Sequence, residues 1–187
     1  MRKNFGAKPY ILPQPVFIIA AYGEDGTPDA MTAVWGGISN EKEISICISS
    51  QRKTLKNILA HGAFTVSMAD AAHVNACDYV GIESGNKVPN KFEKAGFHAM
   101  KSDFVDAPLI EELPMALECR VKSYDEKTWR MVGEIVNVSA DESILDENGK
   151  VSPGKFNPII FDWMNKDYLK IGEKVGNAFH DGLVLKR

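Results

Sequence analysis

Cysteine is scarce in this chain: Cys47, Cys77 and Cys119 are the only three in 187 residues. They are too few and too far apart for a disulfide framework or a C-x-x-C metal or redox motif. Cys47 and Cys119 fall in alternating apolar runs, the setting of a small core residue, whereas Cys77 lies in a mixed segment between His73 and Asp78. The four histidines, His61, His73, His98 and His180, show no H-E-x-x-H or other ligand pairing, and no G-x-S-x-G elbow accompanies them. A metal site and a hydrolase triad are therefore not expected, and no catalytic side chain is nominated. Neither a G-x-G-x-x-G nor a P-loop sequence is present, which argues against a doubly wound nucleotide-binding sheet.

Positive charge in excess is also missing. The net charge is −3 and no basic stripe occurs, so a general nucleic-acid binder is excluded as an expectation. No run approaches the roughly eighteen apolar residues of a membrane span. The opening residues, MRKNFGAKPYILPQPVF, lack the apolar core and cleavage site of a signal peptide. A cytoplasmic protein without a membrane partner is the expectation.

The residues that are there, 44% hydrophobic and 25% charged, suit an ordinary globular chain. Its length suits one domain over 1–187, with no repeat or linker dividing it. Val16 to Tyr22, Asp29 to Trp35, Ile44 to Ser49, Ala63 to Ser67, Met115 to Tyr124, Thr128 to Val138 and Ile159 to Phe161 read as strands. Thr54 to His61, Asp70 to Asp78 and Asn90 to Lys94 read as short helices, with Asp70 a cap. In Met115 to Tyr124, Leu117, Cys119 and Val121 share one face, and Glu118, Arg120 and Lys122 the other. Many short strands with few helices predict a mainly β, antiparallel Greek-key barrel.

Chemistry concentrates between Asp29 and Asn57. In the first strand Thr32 and Val34 face one way, and Met31, Ala33 and Trp35 the other. The pair Gly36-Gly37 then permits a bulge, or close approach of a flat ring to the main chain, before a polar turn. Trp35 reads either as a core residue or as an aromatic wall. A second alternating run empties into Ser49-Ser50-Gln51-Arg52-Lys53-Thr54, directly before an apolar helical pattern. The first N–H groups of a helix lack intrahelical partners and sit at the positive end of its dipole, which suits an anion. Thr54 is placed as N-cap; Arg52 offers a planar fork, Lys53 a point charge, and Ser49 and Ser50 neutral donors. The competing reading is a solvated surface turn.

The succession A-M-T-A-V-W-G-G (30–37), followed by I-S-I-C-I-S-S-x-R-K-T-x-x-N-I (44–58), resembles the flavin reductase-like, FMN-binding split-barrel family, in particular its flavoredoxin-like branch. D-Y-V-G-I-E-S-G (78–85), N-K-F-x-x-A-G-F (90–97) and Y-L-K-I-G-E-K-V-G-N-A-F (168–179) resemble the same branch, in the same order. The resemblance implies a split barrel, FMN as cofactor, and a homodimer with FMN near the subunit interface. It implies that Ser49, Ser50, Arg52, Lys53 and Thr54 hold the phosphate, with Gln51 adding backbone or amide donors. Main-chain groups of Thr32, Ala33, Val34 and Trp35 would address the ring, with Met31 beside them. Lys91 would be a second-tier contact rather than a solvated helix charge, and Ser84 would shape the adjoining loop. Three functions stay open at this point: an NADH- or NADPH-dependent flavin reductase, an electron carrier to a partner redox protein, and a phosphate-binding barrel without redox activity.

Overall fold

The computed structural model describes residues 1–186. The chain forms strands β1 (Gln14–Pro15), β2 (Phe17–Tyr22), β3 (Pro28–Ala33), β4 (Gly36–Asn40) and β5 (Glu43–Cys47), then helix α1 (Lys53–His61) and β6 (Ala63–Met68). Helices α2 (Val74–Ile82) and α3 (Lys91–Lys94) follow, then β7 (Ala99–Lys101), β8 (Pro108–Ile110), β9 (Met115–Asp125) and β10 (Arg130–Ala140). Helix α4 (Pro153–Phe156), β11 (Ile159–Asp162) and β12 (Asp167–Lys170) complete the regular elements apart from two 3₁₀ turns.

Seven strands make one antiparallel sheet in the order β3-β2-β6-β9-β10-β5-β4. β3 and β4 are thus its two edges although only Val34 and Trp35 separate them in sequence. The sheet curls: Met31 and Ala33 from one edge share a buried cluster with Ile44 and Ile46 near the other, around Ile19, Phe64, Val66, Cys119 and Met131. Leu55 and Ile58 of α1 seal that interior as the chain crosses from β5 to β6, which is the Greek-key connection. Alternation in β5 follows directly, since Ile44, Ile46 and Ile48 are each 1% exposed and face inward.

β2 is apolar throughout because both its faces are covered. Ile19 belongs to the interior, while Ile18 and Ala20 join Ala30, Cys77, Val80, Phe92 and Phe97 in a second cluster beneath α2 and α3. That second layer fixes where the segment after β6 must lie, against the outer face of β2 and β3. Asp70 organises the entry to α2, accepting from the N–H groups of Ala72 and His73 at 3.0 and 2.8 Å, with His73 Nδ1 2.9 Å away. The helix itself starts at Val74 and runs to Ile82, later than the predicted 70–78.

The structure changes or adds to the sequence reading at three places. The residues after Trp35 are a strand, not a turn: β4 begins at Gly36, where an added Cβ would meet Ser45 O at 2.7 Å, so this glycine serves strand packing. Glu118 does not face solvent with Arg120 and Lys122. It is 1% exposed, accepting from Asn137 Nδ2 at 2.7 Å and from the Ser102 hydroxyl. The strands β7, β8 and β12 were not anticipated.

Candidate functional site

β5 ends at Cys47, and Ser49 to Arg52 form a tight turn in which Arg52 N donates to Ser49 O at 3.1 Å. The helix begins one residue earlier than predicted, at Lys53. Its N-cap is Arg52, extended at φ −77° and ψ 133°, and no side chain caps the first turn. Thr54 is therefore not the cap. It is 1% exposed and its hydroxyl points inward, donating to Asp29 Oδ2 at 2.5 Å. The first-turn N–H groups consequently stay free of any side-chain acceptor. Among the described residues Arg52 and Lys53 take part in no ion pair. Free amides, two unpartnered cations and the serines, both half-buried, fit a phosphate monoester.

Behind this turn lies a buried ionic contact. Lys91, the first residue of α3, is 3% exposed, so it is not a solvated helix charge. Its Nζ donates to Val80 O and Glu83 O at 3.2 and 3.3 Å and sits 3.5 Å from Asp29 Oδ1. That last separation is an ion pair too long for a good hydrogen bond, which leaves Asp29 Oδ1 otherwise without a partner. Burial pushes the Lys91 amine below the usual lysine value, and the Asp29 charge offsets part of this. Gly85 passes so close that a Cβ there would meet Asp29 Oδ1 at 2.7 Å and Lys53 Cδ at 3.1 Å. Ser84 turns the same loop, its hydroxyl accepting from Asn86 N at 3.3 Å, and Asn86 Nδ2 reaches back to Gln51 O at 3.1 Å. An open depression of about 580 Å³ lies against Lys53, Asn57 and Gly85.

The other predicted residues line an edge strand. β3 pairs only with β2, so its second row of backbone groups has no sheet partner. Met31 and Ala33 point into the barrel and Thr32 away from it, as the alternation requires; the Thr32 hydroxyl donates to Cys77 O in α2. What the strand can offer a ligand is therefore main chain. Trp35 follows the strand and is 47% exposed, an aromatic wall rather than a core residue. Its ring lies 5.9 Å from that of Trp163 in the β11–β12 turn, and Lys166 Nζ stands 3.1 Å over the Trp163 ring. A second open depression, of about 510 Å³, is lined by Gln14, Trp35, Gly36, Gly37, Cys47 and Arg130 among others.

Sequence reasoning missed Asp29 and Trp163. Asp29 reads as the first residue of a strand after the turn at Pro28, and its burial follows only from packing of helices on β3. Trp163 is more than 120 residues from Trp35 and carries no local signal. A third omission is on the surface, where ligand atoms of His98, Glu111 and Glu112 lie within 4.8 Å of one another. His98 Nδ1 is 2.5 Å from Glu112 Oε1, and this hydrogen bond raises the histidine pKa.

A curled antiparallel barrel with an uncapped helix start beside Arg52 and Lys53 is thus the class defined by fold and geometry. The flavin reductase like domain matches residues 10–162, and the chain belongs to that family. The flavoredoxin of Desulfovibrio vulgaris (Miyazaki F) is 35% identical, with 97% of this chain and 100% of that chain covered and a TM-score of 0.93. A flavoredoxin from Methanosarcina acetivorans is 25% identical over 99% of this chain and 100% of its own, with a TM-score of 0.88. An FMN-binding domain of a flavin reductases-like enzyme from Shewanella baltica OS155 shares the fold at 17% identity, TM-score 0.77, covering 88% of this chain and 89% of that one.

Proposed function

We propose that residues 1–187 form a single FMN-binding domain that transfers electrons through the flavin, in a cytoplasmic homodimer, with NADH or NADPH as the electron donor. The observation that carries this reading is the uncapped start of α1, with Arg52 and Lys53 in no ion pair among the described residues. Ser49, Ser50, Gln51, Arg52 and Lys53 hold the phosphate in this proposal, and Thr54 contributes its backbone N–H rather than its inward hydroxyl. The free edge of β3, from Met31 through Thr32, Ala33 and Val34 to Trp35, supports the ring by main-chain groups. Ser84 and Lys91 act from behind, through the loop and the buried pair. FMN when bound supplies hydride and electron transfer at its own ring, so the protein needs to supply distance, orientation and electrostatics rather than an acid–base pair. Absence of a catalytic constellation in the sequence accords with that division.

A carrier reading has support of its own: exposed Trp35 and Lys166 with half-buried Trp163 form an aromatic, cationic surface open to a redox protein. The two separate in one experiment. Purified protein is loaded with FMN and mixed anaerobically with NADH or NADPH; bleaching within seconds supports the reductase, and a persistent yellow colour supports the carrier. Arg52→Ala/Lys53→Ala is measured beside it by fluorescence titration. FMN affinity should fall at least a hundredfold, since each charge-assisted contact contributes about 1.5–3 kcal/mol. Unchanged affinity moves the phosphate elsewhere, and no flavin binding by the parent protein leaves the phosphate-binding barrel.

A further inference from the structure

Asp29 lies where four pieces of chain meet. It projects from β3, is 1% exposed, accepts from Thr54 Oγ1 in the first turn of α1, and faces the ammonium of Lys91 at the head of α3. That ammonium in turn holds carbonyls of Val80 and Glu83 at the end of α2. Gly85 admits the carboxylate with no room for even a methyl group. One buried side chain therefore ties the turn that presents free amides to the strand whose edge is open. Burying a carboxylate is costly unless it is paired and bonded, so its place here calls for a role.

The pairing leaves a positive balance. Arg52 and Lys53 both disfavour the charge on Lys91, and Asp29 is the one carboxylate in the buried contact that offsets them. The balance beside the uncapped turn favours an anion such as the roughly −1.5 to −2 of a phosphate monoester near neutral pH. Geometry points the same way. With its hydroxyl bonded to Asp29, Thr54 anchors the first turn of α1 to β3 and so fixes where its free N–H groups point.

We propose that Asp29 is a positioning residue that orients the first turn of α1 for a monoester phosphate, and so makes this site prefer a phosphorylated flavin to the unphosphorylated one. The inference rests on the FMN reading above. Asp29 does not touch the ligand; it acts through Thr54 and Lys91.

The test compares FMN with riboflavin, which carries the same ring and ribityl chain without the phosphate. Asp29→Asn keeps the shape and removes the charge, and Thr54→Val removes the hydroxyl with no change of charge. Both variants should raise the FMN dissociation constant about tenfold, the scale of one lost hydrogen bond to a charged group, while riboflavin moves less than about twofold. The Asp29→Asn/Thr54→Val pair should lose no more than the larger single, because both break one link. Thr54→Ser should behave as the parent. Equal losses for the two flavins make Asp29 a general stabiliser and overturn the proposal. So does tighter FMN binding by Asp29→Asn, which would make the carboxylate a mere opposing charge. Loss in Thr54→Val alone, with Asp29→Asn unaffected, would place the hydroxyl on the phosphate and also overturn it. If Asp29→Asn does not fold, hydrogen exchange of the Lys56 to Ile58 amides, which bond back to the first turn of α1, decides in flavin-free Thr54→Val. Faster exchange than in Thr54→Ser, with selective FMN loss, supports the link, and unchanged exchange sinks it. Failure of the parent to bind either flavin would strike the FMN reading itself, a result distinct from all of these.

Discussion

Replacing Lys91 by methionine, which has similar length and no charge, leaves Asp29 Oδ1 facing no cation within 4 Å among the described residues. Both partners are almost wholly buried, at 3% and 1% exposed, so solvent does little to compensate. Lys91→Met should therefore destabilise the fold by about 3 kcal/mol at neutral pH, read from urea unfolding. Removing both charges in Asp29→Asn/Lys91→Met should restore most of that loss, because a neutral pair of similar volume no longer buries an unpaired ion. The pH dependence has a definite sign. Lys91 has a folded-state pKa below its unfolded value, so the unfolded chain binds more protons between the two, and the parent gains stability as pH rises through that window toward about 10.4. Lys91→Met lacks this gain, and the gap between them should widen from neutral pH to about 10. A constant gap would mean that the lysine is not held below its ordinary value.

Among the elements, the outer face of β9 carries a fastening that is independent of the site. Glu118 receives the Ser102 hydroxyl and Asn137 Nδ2, and Ser102 Oγ accepts from the N–H groups of Phe104 and Val105 at 3.0 Å each. The loop so held packs Val105 and Ala107 onto Ala63. Glu118→Gln keeps the shape and turns one acceptor into a donor, so either Ser102 or Asn137 loses its partner. A loss of about 2 kcal/mol is expected, which lowers the melting temperature by about 4–8 °C, with FMN affinity unchanged. Unchanged melting would show that the carboxylate does not hold this loop. Alternation identified β5, β6 and β9 because each has one face in a core, the condition under which period-two patterning is written into a sequence. It placed Glu118 on the outer face with Arg120 and Lys122, and gave no sign of its burial there, since the covering loop is a long-range feature. β4 went unread because it opens on two glycines and has no buried face. The uncapped turn before α1 was legible through Ser49 to Lys53, whose residue types and position before a helix are local. The direction of the Thr54 hydroxyl and the burial of Lys91 were not, for both depend on Asp29, which a sequence pattern cannot bring to α1 and α3.

At the scale of the whole molecule, two segments make almost no use of the folded body. Every residue from Ile171 to Lys186 is exposed, with Val175 and Phe179 at 101% and 102%, and Met1 to Pro13 are exposed as well. The C-terminal segment has local order of its own, since Asp181 accepts from Asn177 N at 2.8 Å and a 3₁₀ turn follows over Asp181–Leu185. Yet its large apolar side chains stay open to solvent, from Leu183 and Ile171 at 49% and 54% exposed to Val175 and Phe179 fully so. A phenylalanine alone buries about 150–250 Å² when covered, so two such arms laid on two bodies approach the about 1,200–2,000 Å² of a stable interface. Symmetric exchange of arms is one way for a homodimer to satisfy both at once. Removal of 171–187 provides the test, because β12 stays anchored without it: Tyr168 OH donates to Asp78 Oδ1 at 2.7 Å, and its ring packs 5.9 Å from Phe161. The full chain should sediment as a dimer and the shortened chain as a folded monomer with parent-like circular dichroism. A full-length monomer would remove the dimer from the functional reading. A shortened chain that remains dimeric would instead place the interface on the barrel surface around Trp35, Ile38 and Trp129, which are 47%, 66% and 48% exposed.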